Sequence, residues 1–349
     1  MKARIRRYNL MRTGRKPRRS PGMIISIIAC ASFLAACART VSPFTRAERA
    51  DELLRSGTEQ FHKGDYKAAQ RSFADALDTS ASVDYRKGVA DALNNIATVQ
   101  VRQGNYEEAL INSFSALKIY RSLDSAEGAA TALLNAGSIY SAKRDTEKAE
   151  KYYEMALETA QQGKLKTLEA KALNNMGLLM REAGDVEKAR ELYERSLAIN
   201  RRENNGAAMA DNLSNLGTLS LGAGDADAAI EWYEEALNVD KDLEFPEAIA
   251  LDLFNLGSAY RAKSDYAASM EYYGRALAIF DFTANLPRIG ETLYSMGIAS
   301  EKAGETRRAR ESYNSALDVA ESAGLDTLAE RARARLGLLK ETARSLPAE

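Results

Sequence analysis

The sequence predicts an all-α solenoid in which seven helix-turn-helix units stack in register and a terminal helix closes the array. The first observation is a strict 40-residue period, seen in the small residues Gly57, Ala97, Gly137, Gly177, Gly217, Gly257, Gly297 and Gly337. The second is helical spacing of apolar residues on both sides of a short turn in each unit. The third is the abundance of good helix formers together with only six prolines. Units of this size bury their apolar faces only by stacking on one another, which predicts a solenoid.

Residues 1–36 have the pattern of an export signal. They carry nine Lys and Arg residues and no acidic residue, and they include the apolar run Met23–Leu34. A run of twelve mostly apolar residues is too short to cross a bilayer as a helix, which needs about 20. A basic segment, a short apolar segment and then small residues are typical of a cleaved signal peptide.

The small residues Leu34-Ala35-Ala36-Cys37 resemble the lipobox of bacterial lipoproteins. The resemblance implies cleavage before Cys37, lipidation of Cys37 and attachment to a membrane through that lipid, with residues 37–49 as a tether. In enteric-type bacteria, Ala38 after the lipidated cysteine implies an outer-membrane lipoprotein facing the periplasm. Two alternatives remain at this point: an ordinary signal peptide cut near Ala36, and a twin-arginine signal at Arg18-Arg19.

Residues 50–329 contain the seven units, and the fourth unit shows how each is built. Leu173, Met176, Gly177 and Met180 share one face of a first helix, and Ala183-Gly184-Asp185 supplies a helix stop and an N-cap. A second apolar face follows, formed by Ala189, Leu192, Tyr193, Ser196 and Leu197. The small residues predict close approach of the two helices, and the recurring tyrosines are expected to fill the space between units.

These repeated positions resemble the tetratricopeptide repeat family. The sixth unit carries the family's residue types at Leu253, Leu256, Gly257, Tyr260, Ser269, Tyr273 and Ala276. The family's usual period is 34 residues and its closing proline is absent here, so the chain looks like the 40-residue subclass found in cargo-binding adaptors such as kinesin light chains. The resemblance implies a right-handed superhelix whose concave groove is lined by the first helix of each unit.

After the seventh unit, residues 330–345 predict a capping helix and residues 346–349 a short tail. The capping helix combines Leu336 and Leu339 with a charged opposite face that includes Arg331 and Arg335. A polar outer face on the last element is what a solenoid requires to stay soluble.

One inward-facing position recurs as asparagine at Asn95, Asn135, Asn175, Asn215 and Asn255, with Ser295 at the next position. Asparagine is a mediocre helix former, so the series needs a reason. Either the amides hydrogen-bond the backbone of an extended peptide, or they bridge adjacent helices of the solenoid. The other side chains expected along the groove are Asn94, Asn174, Arg181, Phe254, Arg261 and Tyr294. The two arginines could meet a carboxylate of the ligand.

Composition narrows the function. Without residues 1–36 the chain keeps 48 − 9 = 39 basic residues against 49 acidic ones, a net charge of −10, which disfavours a nucleic-acid partner. His62 is the only histidine, and Cys30 and Cys37 are the only cysteines. No motif predicts a metal, a small-molecule cofactor or a catalytic site.

We therefore expect a lipid-anchored interaction scaffold, not an enzyme. It would bind an exported protein or an extended peptide and assist an envelope assembly machine. A peptide-sensing receptor is the alternative. The oligomeric state is left open.

Overall fold

A computed structural model describes residues 45–345, with side-chain burial defined for residues 45–339. Cys37, the predicted export signal and the tail 346–349 lie outside the described residues. The described part contains fifteen α-helices and no strand. The helices are α1 (Arg46–His62), α2 (Tyr66–Ala81), α3 (Arg86–Arg102), α4 (Tyr106–Ser122), α5 (Ala126–Ala142), α6 (Thr146–Gln162), α7 (Lys166–Ala183), α8 (Val186–Arg202), α9 (Gly206–Gly222), α10 (Ala226–Asp242), α11 (Pro246–Ala262), α12 (Tyr266–Phe282), α13 (Leu286–Lys302), α14 (Thr306–Ala323) and α15 (Asp326–Ser345).

The helices pack as seven pairs, α1/α2 through α13/α14, which we number units 1 to 7, and α15 follows unit 7. Each helix packs against the next along the chain. In addition, the first helices of neighbouring units contact one another, whereas in residues 45–345 no second helix contacts the second helix of a neighbouring unit. The row of first helices is therefore the more closely spaced row and lines the inner side of the curve. The predicted all-α solenoid is confirmed.

The first and the last helix begin earlier than predicted. The first helix begins at Arg46, so the predicted tether of residues 37–49 overlaps α1. Thr45 and Glu48 stand at the N-cap and N3 positions of α1, a capping-box pattern that explains the earlier start. The terminal helix begins at Asp326 instead of residue 330, because Gly324 adopts a left-handed φ of 67° and ends α14 there.

The turn within the fourth unit is built as the sequence predicts. Gly184 ends α7 in the left-handed region at a φ of 84°, and the carboxylate of Asp185 then accepts a hydrogen bond from the backbone N–H of Lys188. The same turn residue need not be glycine, since Arg144 and Ser264 also adopt left-handed φ values of 59° and 64°. Four further aspartates cap second helices in the same way, namely Asp65, Asp145, Asp225 and Asp265.

The glycine series fits the tyrosine series within each unit. A Cβ atom built on Gly217 would lie 2.6 Å from Cε1 of Tyr233, and Gly177 and Gly257 meet the rings of Tyr193 and Tyr273 in the same way. These rings are fully buried. The tyrosines therefore lie between the two helices of one unit, and the expectation that they fill the space between units was wrong.

Unit 2 lacks both the glycine and the aromatic ring, and its two helices still fit together. At the two equivalent positions it has Ala97 in place of glycine and Ser113 in place of the aromatic ring, and both are completely buried. A larger residue on the first helix is thus accommodated by a smaller residue on the second. Gly337 belongs to the same series but meets nothing within 4 Å, because no second helix packs on that face of α15 in the described residues.

Among residues 45–345, none of the helices combines the length and the apolar character that crossing a bilayer would require.

Candidate binding groove on the inner helix face

The asparagine series faces away from the second helix of its own unit. Each member lies two residues before the small residue that faces the second helix of its unit, which places it about 200° away from that residue around the helix. It therefore points to the side where the first helices form a continuous surface. We call this surface the inner face; it is the side of α3, α5, α7, α9, α11 and α13 that carries the asparagine series.

Two members of the series bridge neighbouring units. Nδ2 of Asn135 donates to Oδ1 of Asn94, at 2.9 Å, and Nδ2 of Asn215 donates to Oδ1 of Asn174, at 3.0 Å. Each bond joins the first helices of consecutive units. For these two residues, which we call the bridging asparagines, the structural interpretation of the series is the one observed.

The other three members make no such bond. Asn95, Asn175 and Asn255 are half-buried on the inner face, and their side-chain amides have no hydrogen-bond partner among the described residues. We call them the uncommitted asparagines. Bridging occurs only where the preceding unit offers Asn94 or Asn174 as acceptor, and this happens in alternate units. The uncommitted amides therefore recur every second unit.

Two pockets border this series. One, of about 280 Å³, is lined by Asn94 and Asn95 of α3 together with Lys87, Asp91 and six residues of α1, α4 and the start of α5. The other, of about 310 Å³, is lined by Asn174 and Asn175. They occupy equivalent places two units apart, so each uncommitted asparagine of units 2 and 4 opens onto a small polar depression.

The predicted arginines Arg181 and Arg261 lie on the same first helices as Asn175 and Asn255, six residues further along and about 120° away around the helix. Arg181 and Arg261 are half-buried and form no ion pair with any carboxylate of the described residues. Nε of Arg261 donates to the hydroxyl of Tyr273, at 3.3 Å. In unit 7 the equivalent residue is Glu301, which pairs with Arg335 of α15. The first helices of units 4 and 6 thus each hold one arginine without a carboxylate partner among the described residues.

The remaining predicted residues divide by exposure. Phe254 is half-buried, with its ring centroid 5.4 Å from that of Tyr273. Asn94 and Tyr294 are each only 6% exposed. Asn94 is covered by Asn135, to which it is hydrogen-bonded. The guanidinium of Arg331 lies over the ring of Tyr294, 4.3 Å from the ring centroid. These two side chains stabilise the packing of the first helices and offer little surface to a ligand.

A buried polar network beneath the inner face was not foreseen from the sequence. Between units 4 and 5, Nδ2 of Asn200 donates to Oδ1 of Asn212, at 2.7 Å, and Nδ2 of Asn212 donates to Oδ1 of Asn174, at 2.9 Å. Ser196 donates to the carbonyl oxygen of Ala170, at 2.8 Å. The sequence does contain a sign of this network. One repeat position changes from apolar to polar along the chain: it holds Ala92, Ala132 and Ala172 in units 2 to 4, and Asn212, Asp252 and Thr292 in units 5 to 7.

One unit later the same two positions hold Asp240 and Asp252. Asp252 is 2% exposed and accepts a hydrogen bond from Oγ of Ser214, at 2.7 Å. Burial, together with the charge of Asp240, raises the pKa of Asp252 to about 7. Burial also raises the pKa of Asp240. In residues 45–345 no group of three or more His, Cys, Asp or Glu side chains is arranged to hold a metal ion.

Comparison with known proteins agrees with this architecture. The tetratricopeptide repeat model matches residues 53–122, 88–162, 168–242 and 247–322, so the chain belongs to the tetratricopeptide repeat family. A comparison with curated protein sequences gives no match.

Several solved structures share the fold at low sequence identity. A Rap protein complexed with competence and sporulation factor is 16% identical, with a TM-score of 0.61 over 86% of this chain and 80% of that one. Aspartyl phosphate phosphatase F from Bacillus subtilis is 14% identical, with a TM-score of 0.60 over 83% and 74%. BtubC from P. vanneervenii is 20% identical, with a TM-score of 0.57 over 63% and 92%. At these identities the likeness concerns the fold alone.

Proposed function

We propose that this protein is an interaction scaffold whose inner face binds an extended segment of a partner protein or peptide. The observation that carries the proposal is the division of the asparagine series. Asn135 and Asn215 are used to hold the solenoid together, whereas Asn95, Asn175 and Asn255 are held on the same surface with no internal role that the hydrogen bonds reveal.

An amide side chain suits a peptide backbone because it both donates and accepts a hydrogen bond. A row of such amides holds an extended segment through its main chain, whatever the side chains. Selectivity then comes from the neighbouring groups. Arg181 and Arg261 favour a segment that carries carboxylates, and the half-buried ring of Phe254 favours an apolar side chain near unit 6. The Rap protein that shares the fold was solved with competence and sporulation factor bound, which supports ligand binding by a solenoid of this kind.

The same proposal includes a place for the scaffold. Lipidation at Cys37 would hold it on a membrane, and Ala38 favours the outer membrane, facing the periplasm. The ligand would then be an exported protein, and the scaffold would assist an envelope assembly machine. A Cys37→Ser variant tests the anchor: we expect loss of radiolabelled palmitate incorporation and accumulation of the uncleaved precursor. Normal processing of that variant would show an ordinary signal peptide instead.

The binding test uses the two classes of asparagine as matched sets. The first variant carries Asn95→Ala, Asn175→Ala and Asn255→Ala; the second carries Asn135→Ala and Asn215→Ala. Partners are crosslinked in membranes, and peptides covering each captured partner are then titrated against the purified protein. We expect the first variant to lose peptide binding and keep its melting temperature.

The second variant is expected to melt earlier, because it leaves the carboxamide oxygen of Asn94 without its donor and removes one of the two bonds that Asn174 accepts from the next unit. If the first variant binds every peptide as tightly as the native protein, the inner face is not the binding surface.

A peptide-sensing receptor is the second candidate, and it is favoured by the Rap complex named above. A scaffold retains a folded protein partner through purification. A sensor instead responds to a free peptide with a change in its own shape, which small-angle scattering with and without the peptide would measure.

A further inference from the structure

Asp240 and Asp252 face each other across the contact between α10 and α11, where unit 5 meets unit 6. They are only 6% and 2% exposed, and no Lys or Arg of the described residues forms an ion pair with either of them. Oδ1 of Asp252 accepts from Ser214, but Oδ2 is buried without a donor. Two buried carboxylates without a cation are unfavourable unless a proton is bound between them.

The preceding unit shows what the geometry requires. At the equivalent positions between units 4 and 5, Asn200 donates an N–H to the oxygen of Asn212, at 2.7 Å. When both residues become aspartate, that N–H is lost and two acceptors face each other. A proton on one carboxyl group restores a donor at the same place, as an O–H to the other carboxylate.

We propose that Asp240 and Asp252 form a proton-dependent joint between units 5 and 6. With one proton shared, the carboxyl pair holds α10 against α11 as the asparagine pair holds α8 against α9. Without it, two negative charges repel each other inside the contact and the joint loosens. The consequence reaches the inner face, because Asn255 and Arg261 lie on α11, beyond the joint, while Asn175 and Arg181 lie before it.

The surroundings add negative charge and no compensating cation. Asp211 of α9 lies close enough to raise the pKa of Asp252, and Tyr233 of α10 is the other titratable side chain that interacts with it. The helices packed on this contact therefore favour the protonated pair. The inference holds whether or not the inner face binds a peptide, so its test is separate from the binding test above.

The experiment measures amide hydrogen exchange of the full chain at pH 5 and pH 8. The matched variant is Asp240→Asn with Asp252→Asn, which recreates the asparagine pair of units 4 and 5. Comparing native and variant at each pH cancels the chemical dependence of exchange on pH. With the pKa of Asp252 at about 7 in the fold and ~3.9 when unfolded, opening of α10 and α11 in the native protein should rise roughly a hundredfold between the two pH values relative to the variant.

The reciprocal variant, Asn200→Asp with Asn212→Asp, should give α8 and α9 the same dependence on pH. If the native protein and the Asp240→Asn, Asp252→Asn variant show the same ratio of exchange at both pH values, the proposal is overturned. If that variant does not fold, the reciprocal variant decides, because unchanged exchange of α8 and α9 would also overturn it.

Discussion

Replacement of Gly217 by alanine tests the contact that sets the spacing of the two helices in each unit. The new Cβ atom would lie 2.6, 2.8 and 3.0 Å from Cε1, Cδ1 and Cζ of Tyr233. Unstrained carbon atoms are about 3.5–4.0 Å apart, so the ring would have to move by about 1 Å. The ring is 2% exposed and its hydroxyl is hydrogen-bonded to Thr218 at 3.1 Å, so it has little room to do so.

Two opposing effects set the magnitude. Overpacking a well-packed core costs about 1–3 kcal/mol, and alanine is favoured over glycine within a helix by about 1 kcal/mol. The matched control is Gly337→Ala, whose Cβ meets nothing within 4 Å. Both substitutions replace a helical glycine by alanine, so the gain from helix preference is the same in both and cancels when the two variants are compared. We therefore expect Gly217→Ala to be less stable than Gly337→Ala by about 1–3 kcal/mol.

The assay is urea unfolding of both variants followed by helical circular dichroism. A double-mutant cycle with Tyr233→Ser identifies the cause, since unit 2 already combines Ala97 with Ser113. In the Tyr233→Ser background, Gly217→Ala should become neutral or stabilising. Equal stability of Gly217→Ala and Gly337→Ala would refute the reasoning, because the ring would then accommodate the methyl group freely.

Three further predictions concern single side chains. Asp225→Ala should lower the free energy of unfolding by about 1 kcal/mol, because the N-cap bond to the backbone N–H of Ala228 is lost, whereas Asp225→Asn should retain most of it; urea midpoints compare the two. Asn135→Ala should cost about 1–2 kcal/mol because Asn94 loses its donor, while Asn95→Ala, which breaks no bond, should stay within about 0.5 kcal/mol of the native protein in the same assay. The folded pKa of Asp252, about 7, lies above the unfolded value of ~3.9, so its stabilisation is fully present below pH ~4 and is lost as pH rises through 7. Urea unfolding at pH 5 and pH 8 should show a loss on the order of 3 kcal/mol that Asp252→Asn abolishes; a loss of the same size in Asp252→Asn would place its origin elsewhere.

Much of the fold is readable from the chain because its determinants are local. The turn at Gly184-Asp185 is specified by one residue that tolerates left-handed backbone and one that caps the next helix. The fit between glycine and tyrosine recurs at a constant spacing of 16 residues, as in Gly217 and Tyr233, so even the exception in unit 2 is visible as a paired change. The earlier start of α1 was also readable, in the capping-box spacing of Thr45 and Glu48.

The candidate site was readable only in part. The asparagine series located the inner face, but periodicity treats Asn135 and Asn175 as equivalent, and the structure does not. Asn135 finds an acceptor in the preceding unit at Asn94, whereas the preceding unit places Leu134 where Asn175 would need one. Whether an amide is used internally depends on a side chain about 40 residues away, and that contact requires the packing of one unit on the next.

The sequence by itself determined the helices, the turns, the pairing of helices within units and the array of seven units. These follow from local backbone preferences and from an apolar pattern that repeats every 40 residues. The tertiary structure alone decided which asparagines remain free on the inner face and that Asp240 meets Asp252 inside a contact between units. The reason is physical: a hydrogen bond or a buried charge pair depends on two side chains being brought within about 3 Å, and only the stacking of successive units fixes that distance.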